Sequence, residues 1–338
     1  MKIKLSLSLF ILSIFIYSQD EIRYLTDTIY SADASAHLFD GKIFIYPSHD
    51  IETGVTDGTD GAHYNMKDYH VYSMDKIGGE ITNHGVAFGL QDVLWASKQL
   101  WAPDAAHKDG VYYFYFPAKD KDGIFRIGVA KSNKPQGPFK PEKNYVKGTY
   151  SMDPAVYEDN QKYYLYFGGI RGGQLQKYRN NIYSKNNDEP AKDENALSPK
   201  IALLKPDMIS LAEEPKDVLI LDEKGNPIKA GDEDRRFFEG AWVHKFNGKY
   251  YLSYSTGTTH KICYAMGDNP YGPFNYQGVV MTPVKGWTTH HSIIEVEDEW
   301  YIFYHDTKKS GKNYLRNVKY RKLTHNPDGT IQTLNGLD

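Results

Sequence analysis

Short strands with a polar leader, each folded back at a tight polar turn, recur five times along the chain. They are DASAHLFDGKIFIY from Asp33, DAAHKDGVYYFYF from Asp104, DPAVYEDNQKYYLYF from Asp153, EGAWVHKFNGKYYLSYS from Glu239 and HHSIIEVEDEWYIFYHD from His290. After each turn a second strand follows, rich in Tyr, Phe or Ile. The turns hold Asp40-Gly41, Asp109-Gly110, Asp159-Asn160, Asn247-Gly248 and Glu297-Asp298, residue types suited to tight hairpins. Further strand-like runs lie between the hairpins, at 67–74, 125–132 and 261–267, and one follows the last hairpin, at 317–323. Gly-Pro-Phe follows two of them, at 137–139 and 272–274.

The copies are unevenly spaced, which a solenoid would not tolerate and a radial array would. The pattern therefore predicts an all-β, single-domain, five-bladed β-propeller. A β-sandwich with five unrelated hairpins is the alternative, and it gives no reason for acids and histidines at the strand heads. In a propeller those heads surround one axis. The segment from 186 to 236, dense in charge, Pro and Gly, reads as a solvated insertion with a short strand near 216–221.

Composition narrows the function. The net charge of the 338-residue chain is −3, and no basic stripe offers a nucleic-acid partner. Tyrosine accounts for 28 residues, which suits both pleated sheets and sugar-binding clefts. Cys263 is the single cysteine, so no internal disulfide can form, and its apolar surroundings predict a buried thiol. Lys2 and Lys4 precede an apolar run from Leu5 to Tyr17 and then Ser18 and Gln19. That is the pattern of a signal peptide over 1–19, leaving a domain over 20–338 that is secreted or periplasmic, without membrane insertion after cleavage.

Asp33, Asp104, Asp153 and Glu239 head four of the copies. Acids around one cavity suit hydrolysis of a glycosidic bond, with one carboxylic acid protonating the leaving oxygen and a carboxylate activating water. They equally suit coordination of Ca²⁺ or Mg²⁺ in a noncatalytic sugar- or metal-binding propeller, or plain capping of turns. The histidines show no HExxH spacing, so a catalytic zinc is not expected.

In order along the chain, SADAS, KQLWAPDA, SMDPAVYED, FFEGAWVHK, THHSII and LRNVKY resemble glycoside hydrolase family 43 from about Ile22 to Leu334. The resemblance implies an inverting, exo-acting hydrolase that releases terminal β-xylose, or alternatively α-L-arabinofuranose, from plant or algal polysaccharide fragments. Matched motif by motif, it implies that Asp33 is the general base, Asp153 the acid that tunes and orients the donor, and Glu239 the general acid. Arg316 matches an arginine that contacts the sugar. His290 matches a histidine that in many members helps hold a hydrated Ca²⁺, with His291 as its neighbour on the opposite face. Ala34 stands where members usually carry proline, which affects stiffness rather than proton chemistry.

Other candidates follow from their positions. Trp101 is expected as a stacking wall for the terminal sugar, with space-filling between blades as the alternative. Asp104 is expected either on a sugar hydroxyl or as a strand cap. Tyr69 and His70 are placed at the pocket or in blade packing, and Arg171, among four glycines, at its rim. His49 and Asp50 close the first hairpin and read as structural.

Overall fold

The structure is a computed structural model that describes residues 22–186 and 188–338. The predicted signal peptide lies outside the described residues. Five antiparallel sheets stand around one axis, as the repeats require. Blade 1 is built from Tyr30–Phe39, Lys42–Asp50, Asp68–Met74 and Thr82–Gly89. Blade 2 contains Asp104–Lys108, Val111–Asp120, Phe125–Ser132 and Lys140–Pro141, with Ala96–Lys98 also paired to its second strand. Blade 3 holds Ala155–Asp159, Lys162–Phe167, Lys200–Leu203 and Lys216–Asp217. Blade 4 is Glu239–Phe246, Lys249–Ser255, Ile262–Gly267 and Phe274–Met281, flanked in parallel by Ile220–Leu221. Blade 5 runs His291–Val296, Glu299–Asp306 and Asn317–Leu323, and its outer strand is Arg23–Tyr24 from the other end of the chain.

Turn chemistry makes the hairpins. Both central residues are left-handed at Asp40-Gly41, Asp109-Gly110, Asn247-Gly248 and Glu297-Asp298, which matches the twist of the flanking strands. In the third hairpin the turn falls one residue later than expected, at Asn160-Gln161, because Asp159 pairs with Lys162. Blades press on each other with both faces, so second strands are apolar throughout rather than alternating. Ile43 and Ile45 pack into the cluster shared with blade 5, while Phe44 and Tyr46 of the same strand face Phe114 of blade 2.

The segment 186–236 is not a simple insertion. It supplies the third and fourth strands of blade 3 and the parallel strip on blade 4. The strand at Lys200 was hidden in the sequence because its leading residue is a lysine. That lysine is buried with its ammonium 2.6 Å from Asp217 of the neighbouring strand.

Backbone ladders hold each blade together, and side chains join one blade to the next. Asp104, fully buried, accepts from Ser35 Oγ, lies 2.7 Å from His37 Nε2 and accepts the Val156 N–H at 2.5 Å. It thus ties blades 1, 2 and 3. Asp153 accepts the Gly240 N–H at 3.0 Å, Trp242 Nε1 donates to the Ile293 carbonyl at 2.9 Å, and Ser292 Oγ accepts the Ala36 N–H at 3.0 Å. Those three bonds complete the ring. Substituting Asp104→Ala is expected to cost about 3–5 kcal/mol, because a buried cluster loses its only carboxylate. A fall in the urea midpoint would measure it, and an unchanged midpoint would refute the clamp.

Candidate active site

Bulges and left-handed residues turn three acids toward the axis. Asp33 has φ 52°, and the register of its strand shifts between Ala32 and Ser35. Asp153 has φ 55°. Glu239 is followed by Gly240 at φ 67°, and a second register shift separates Glu239 from Trp242. Aspartate tolerates this backbone better than most residues, and glycine carries no penalty there. A Cβ at Gly240 would also meet the His290 ring at 3.4 Å.

Hydrogen bonds fix Asp33 completely. Its Oδ1 accepts from Arg316 Nη1 at 2.9 Å and its Oδ2 from Ser48 Oγ at 2.7 Å. Its own N–H donates to His305 Nδ1 at 3.1 Å, so the His305 proton belongs on Nε2, beside the Thr288 carbonyl at 3.1 Å. Arg316 grips Asp50 with Nε and Nη2 at 2.8 and 2.7 Å, and its N–H meets the same carboxylate at 2.8 Å. Asp50 therefore serves the site from behind.

Charge divides the acids. Burial pushes Asp33 up, but Arg316, His305, His290 and the Ser48 hydroxyl outweigh it and bring its pKa to about 2. Glu239 is pushed up to about 8, chiefly by burial and then by the charge on Asp33. Asp153 is also driven well above the carboxylate range by burial, then by Glu239 and Asp33. The arrangement is one ionised acid facing two that hold their protons. Asp33, more than Asp153, is the charge that raises Glu239.

The acids open into a cavity of about 320 Å³, at the small end for ligand pockets. Trp101, Arg171, His290 and Arg316 line it with Asp33, Asp153 and Glu239. Gly61 and Gly172 press on the Trp101 indole, where a Cβ would come within 2.5 and 3.2 Å of the ring. Part of that tryptophan therefore packs between loops rather than facing the cavity.

Tyr69 and Asp104 do not line the cavity. Tyr69 is buried in blade packing and donates to the Trp101 carbonyl at 2.6 Å, and Asp104 is consumed by the interblade clamp. Sequence reasoning missed His63, Tyr64, Phe238, Trp287 and Thr288, which do line it. Phe238 stood in the FFEGAW motif next to Glu239 and was the one with a usable signal.

His290 Nδ1 lies 3.9 Å from Asp33 Oδ1 and 3.7 Å from Asp153 Oδ2, oxygens already engaged by Arg316 and Gly240. This donor set is one imidazole without an oxygen cage, so it fits a Ca²⁺ only as an ion that keeps most of its water shell.

Comparison with known proteins agrees with the geometry. The profile of Glycosyl hydrolases family 43 matches residues 79–331. A xylosidase/arabinosidase of Bacteroides ovatus is 56% identical, over 94% of this chain and 99% of that protein. A beta-xylosidase of Xylanibacter ruminicola is 48% identical, over 92% and 99%. Among solved structures, a GH43 beta-xylosidase/alpha-arabinofuranosidase from a compost microbial metagenome, in complex with xylotriose and in calcium-free form, is 58% identical. It superposes with a TM-score of 0.92 over 93% of this chain and 97% of its own. A GH43_1 enzyme of Xanthomonas citri complexed with xylotriose is 51% identical, with a TM-score of 0.90 and 94% coverage of each chain.

The raised acids make stability depend on pH. Glu239 holds its proton to about 8, whereas the unfolded chain releases it near 4.5, so the folded state binds more protons between these values. Its contribution is full below the lower value and is lost as pH rises through the interval. Urea unfolding should show stability declining there, and Glu239→Gln should flatten the decline. An unchanged slope would contradict a buried, protonated Glu239.

Proposed function

The chain belongs to glycosyl hydrolases family 43 and is a glycoside hydrolase, and from that premise we propose that it releases terminal β-xylose from oligosaccharides with inversion of configuration. One observation carries the mechanism: an anionic Asp33, held by Arg316, shares one cavity with a protonated Glu239. The names and ligands of the relatives support xylosides over other sugars.

Asp33 accepts a proton from the attacking water, and its fixed oxygens aim that water at the anomeric carbon. Glu239 gives its proton to the departing glycosidic oxygen. Inverting displacement needs these two acids on opposite faces of the sugar. Asp153 positions Glu239 through the Gly240 N–H and shares the raised titration of the pair. Arg316 keeps Asp33 ionised and presents Nη1 at the cavity wall. Trp101, Phe238 and Trp287 supply apolar faces for the sugar ring, and Arg171, stacked 5.5 Å over Phe238, stands at the rim. Where a hydrated Ca²⁺ binds, His290 is the contact we assign to it, and its charge would favour the anionic forms of the neighbouring acids. Activity outside the cytoplasm, after removal of residues 1–19, belongs to the same proposal.

Proton NMR on aryl β-D-xyloside and aryl α-L-arabinofuranoside tests the reading. Early α-xylose is the expected product; faster release of arabinose would overturn the substrate, and first-formed β-xylose would overturn inversion. Glu239→Gln should lower kcat on natural xylo-oligosaccharides by about 10²–10⁴-fold. The kcat/KM profile should fall on the alkaline side as pH passes about 8. Asp153→Asn should leave that limb near its place, because burial and the charge on Asp33 raise Glu239 while Asp153 keeps its proton. A limb moved well downward would mean that Asp153 is ionised beside Glu239 and would overturn the division into one ionised and two protonated acids.

A further inference from the structure

Outside the catalytic cavity, the first blade gathers two imidazoles and a carboxylate on one face of a strand pair. Ser48 and Tyr69 are partners in the ladder between Lys42–Asp50 and Asp68–Met74, so His49 and Asp68 stand opposite each other one step further along. The two-residue repeat of a strand then puts His70 on the same face as Asp68. His49 Nδ1 is 2.5 Å from Asp68 Oδ1, and His70 Nε2 is 3.8 Å from the same oxygen. All three donor atoms fall within 4.8 Å of one another. The side chains are 19%, 31% and 14% exposed, so a hydrated ion can reach them.

We propose that His49, Asp68 and His70 form a binding site for a divalent d-block cation such as zinc, separate from the catalytic cavity. The donor set decides the class. Imidazole nitrogen with one carboxylate suits zinc, nickel or copper, and offers Ca²⁺ or Mg²⁺ too little oxygen. Three protein donors leave a fourth position for water. Zinc bonds of about 2.0–2.1 Å require the donors to stand roughly 3.3 Å apart, so a small rotation of the His70 ring closes the set. Binding through His49 Nδ1 requires the ring proton on Nε2, so the ion takes the place of the hydrogen bond between His49 and Asp68.

No residue of this group lines the cavity. His49 immediately precedes Asp50, whose side chain leaves the opposite face of the strand to hold Arg316. An ion here pins the ends of two strands behind the arginine. Its role is that of a clamp, and no reaction step passes through it.

The test uses the full chain, freed of metal with a chelator and titrated with zinc chloride. Calorimetry is expected to show zinc uptake, absent with calcium chloride at the same concentration. A rise in Tm of roughly 3 °C should accompany saturation. Anomalous scattering at the zinc edge in wild-type crystals should place the ion among His49 Nδ1, Asp68 and His70 Nε2. His70→Gln and His70→Ala should abolish that density and the Tm rise, while turnover in chelator stays at the wild-type level. No zinc uptake, density only at His290, or uptake unchanged in both variants would overturn the proposal. The wild-type density decides the matter even if a variant fails to fold.

Discussion

A cation withdrawn from water, the guanidinium of Arg316 at 3% exposure, sets the state of everything around the axis. Removing such a group from solvent costs several kcal/mol unless charge and hydrogen bonds are returned to it. Asp50 returns most of them, with the side-chain fork on both its oxygens and the Arg316 N–H on one. Burial pushes Asp50 up and the arginine pulls it back; three N–H groups on its two oxygens mark it as the ionised partner. The remaining Nη1 reaches Asp33, and the Tyr64 ring covers the guanidinium at 4.7 Å. One cation and two anions leave a single negative charge facing the cavity. Adding a second on Glu239 or Asp153 would place like charges together in a dry site. Burial first and that charge second keep both protonated, and the arginine decides that Asp33 is the acid left ionised.

That charge arrangement needs rigid support, because sheets in a propeller share no backbone ladder with their neighbours. Contacts between blades are instead made largely by side chains, from Asp104 and Trp242 on the innermost strands to Tyr46, Tyr115 and Tyr166 on the second strands. Asp104, Asp153, Trp242 and Ser292 each bond to a neighbouring blade, and together they go round the ring. Asp153 belongs to this ring and to the cavity at once. Its bond to the Gly240 N–H fixes the backbone beside Glu239, so the geometry of the proton donor is tied to the closure of the barrel-like core. A site assembled from three blades stays in register because Asp153 carries both functions.

Much of this was legible in the sequence, and what escaped has physical reasons. Hairpins are local, and turn pairs such as Asn247-Gly248 announce themselves within a few residues. The acids at the heads could be read once the repeats were aligned. Tyr69 and Asp104 stayed open between pocket and packing because a residue at the inner end of a strand can point to the axis or to the next blade, and their sequence surroundings do not say which. The loops carrying His63, Tyr64, Trp287 and Thr288 have no period, and their side chains meet only through folding. Asp50 was read as a structural residue, and it is one; its partner lies 266 positions away, beyond any local pattern. Blade 3 hid its third strand, Lys200–Leu203, in a charged stretch because the buried Lys200 meets its counter-charge only across the sheet.

The contrast between Asp33 and Asp104 explains why near-identical motifs serve different ends. Both are followed by small residues, Ala34 in one and Ala105 in the other, each about 1% exposed. Ala155 and Ala241 repeat the feature in blades 3 and 4. Five strands converging on one axis leave little room, so the small residues reflect crowding and carry no chemistry by themselves. Asp104 begins a regular strand and spends its oxygens on its neighbours. Asp33 and Asp153 sit in left-handed backbone, and Gly240 makes the same excursion for Glu239. Such conformations cost on the order of 1–3 kcal/mol for a residue with a side chain and persist only where surrounding bonds over-determine them. Arg316, Ser48 and His305 supply those bonds at Asp33. The strained head is the one free to act on a ligand, and the relaxed head holds the ring that makes the strain bearable.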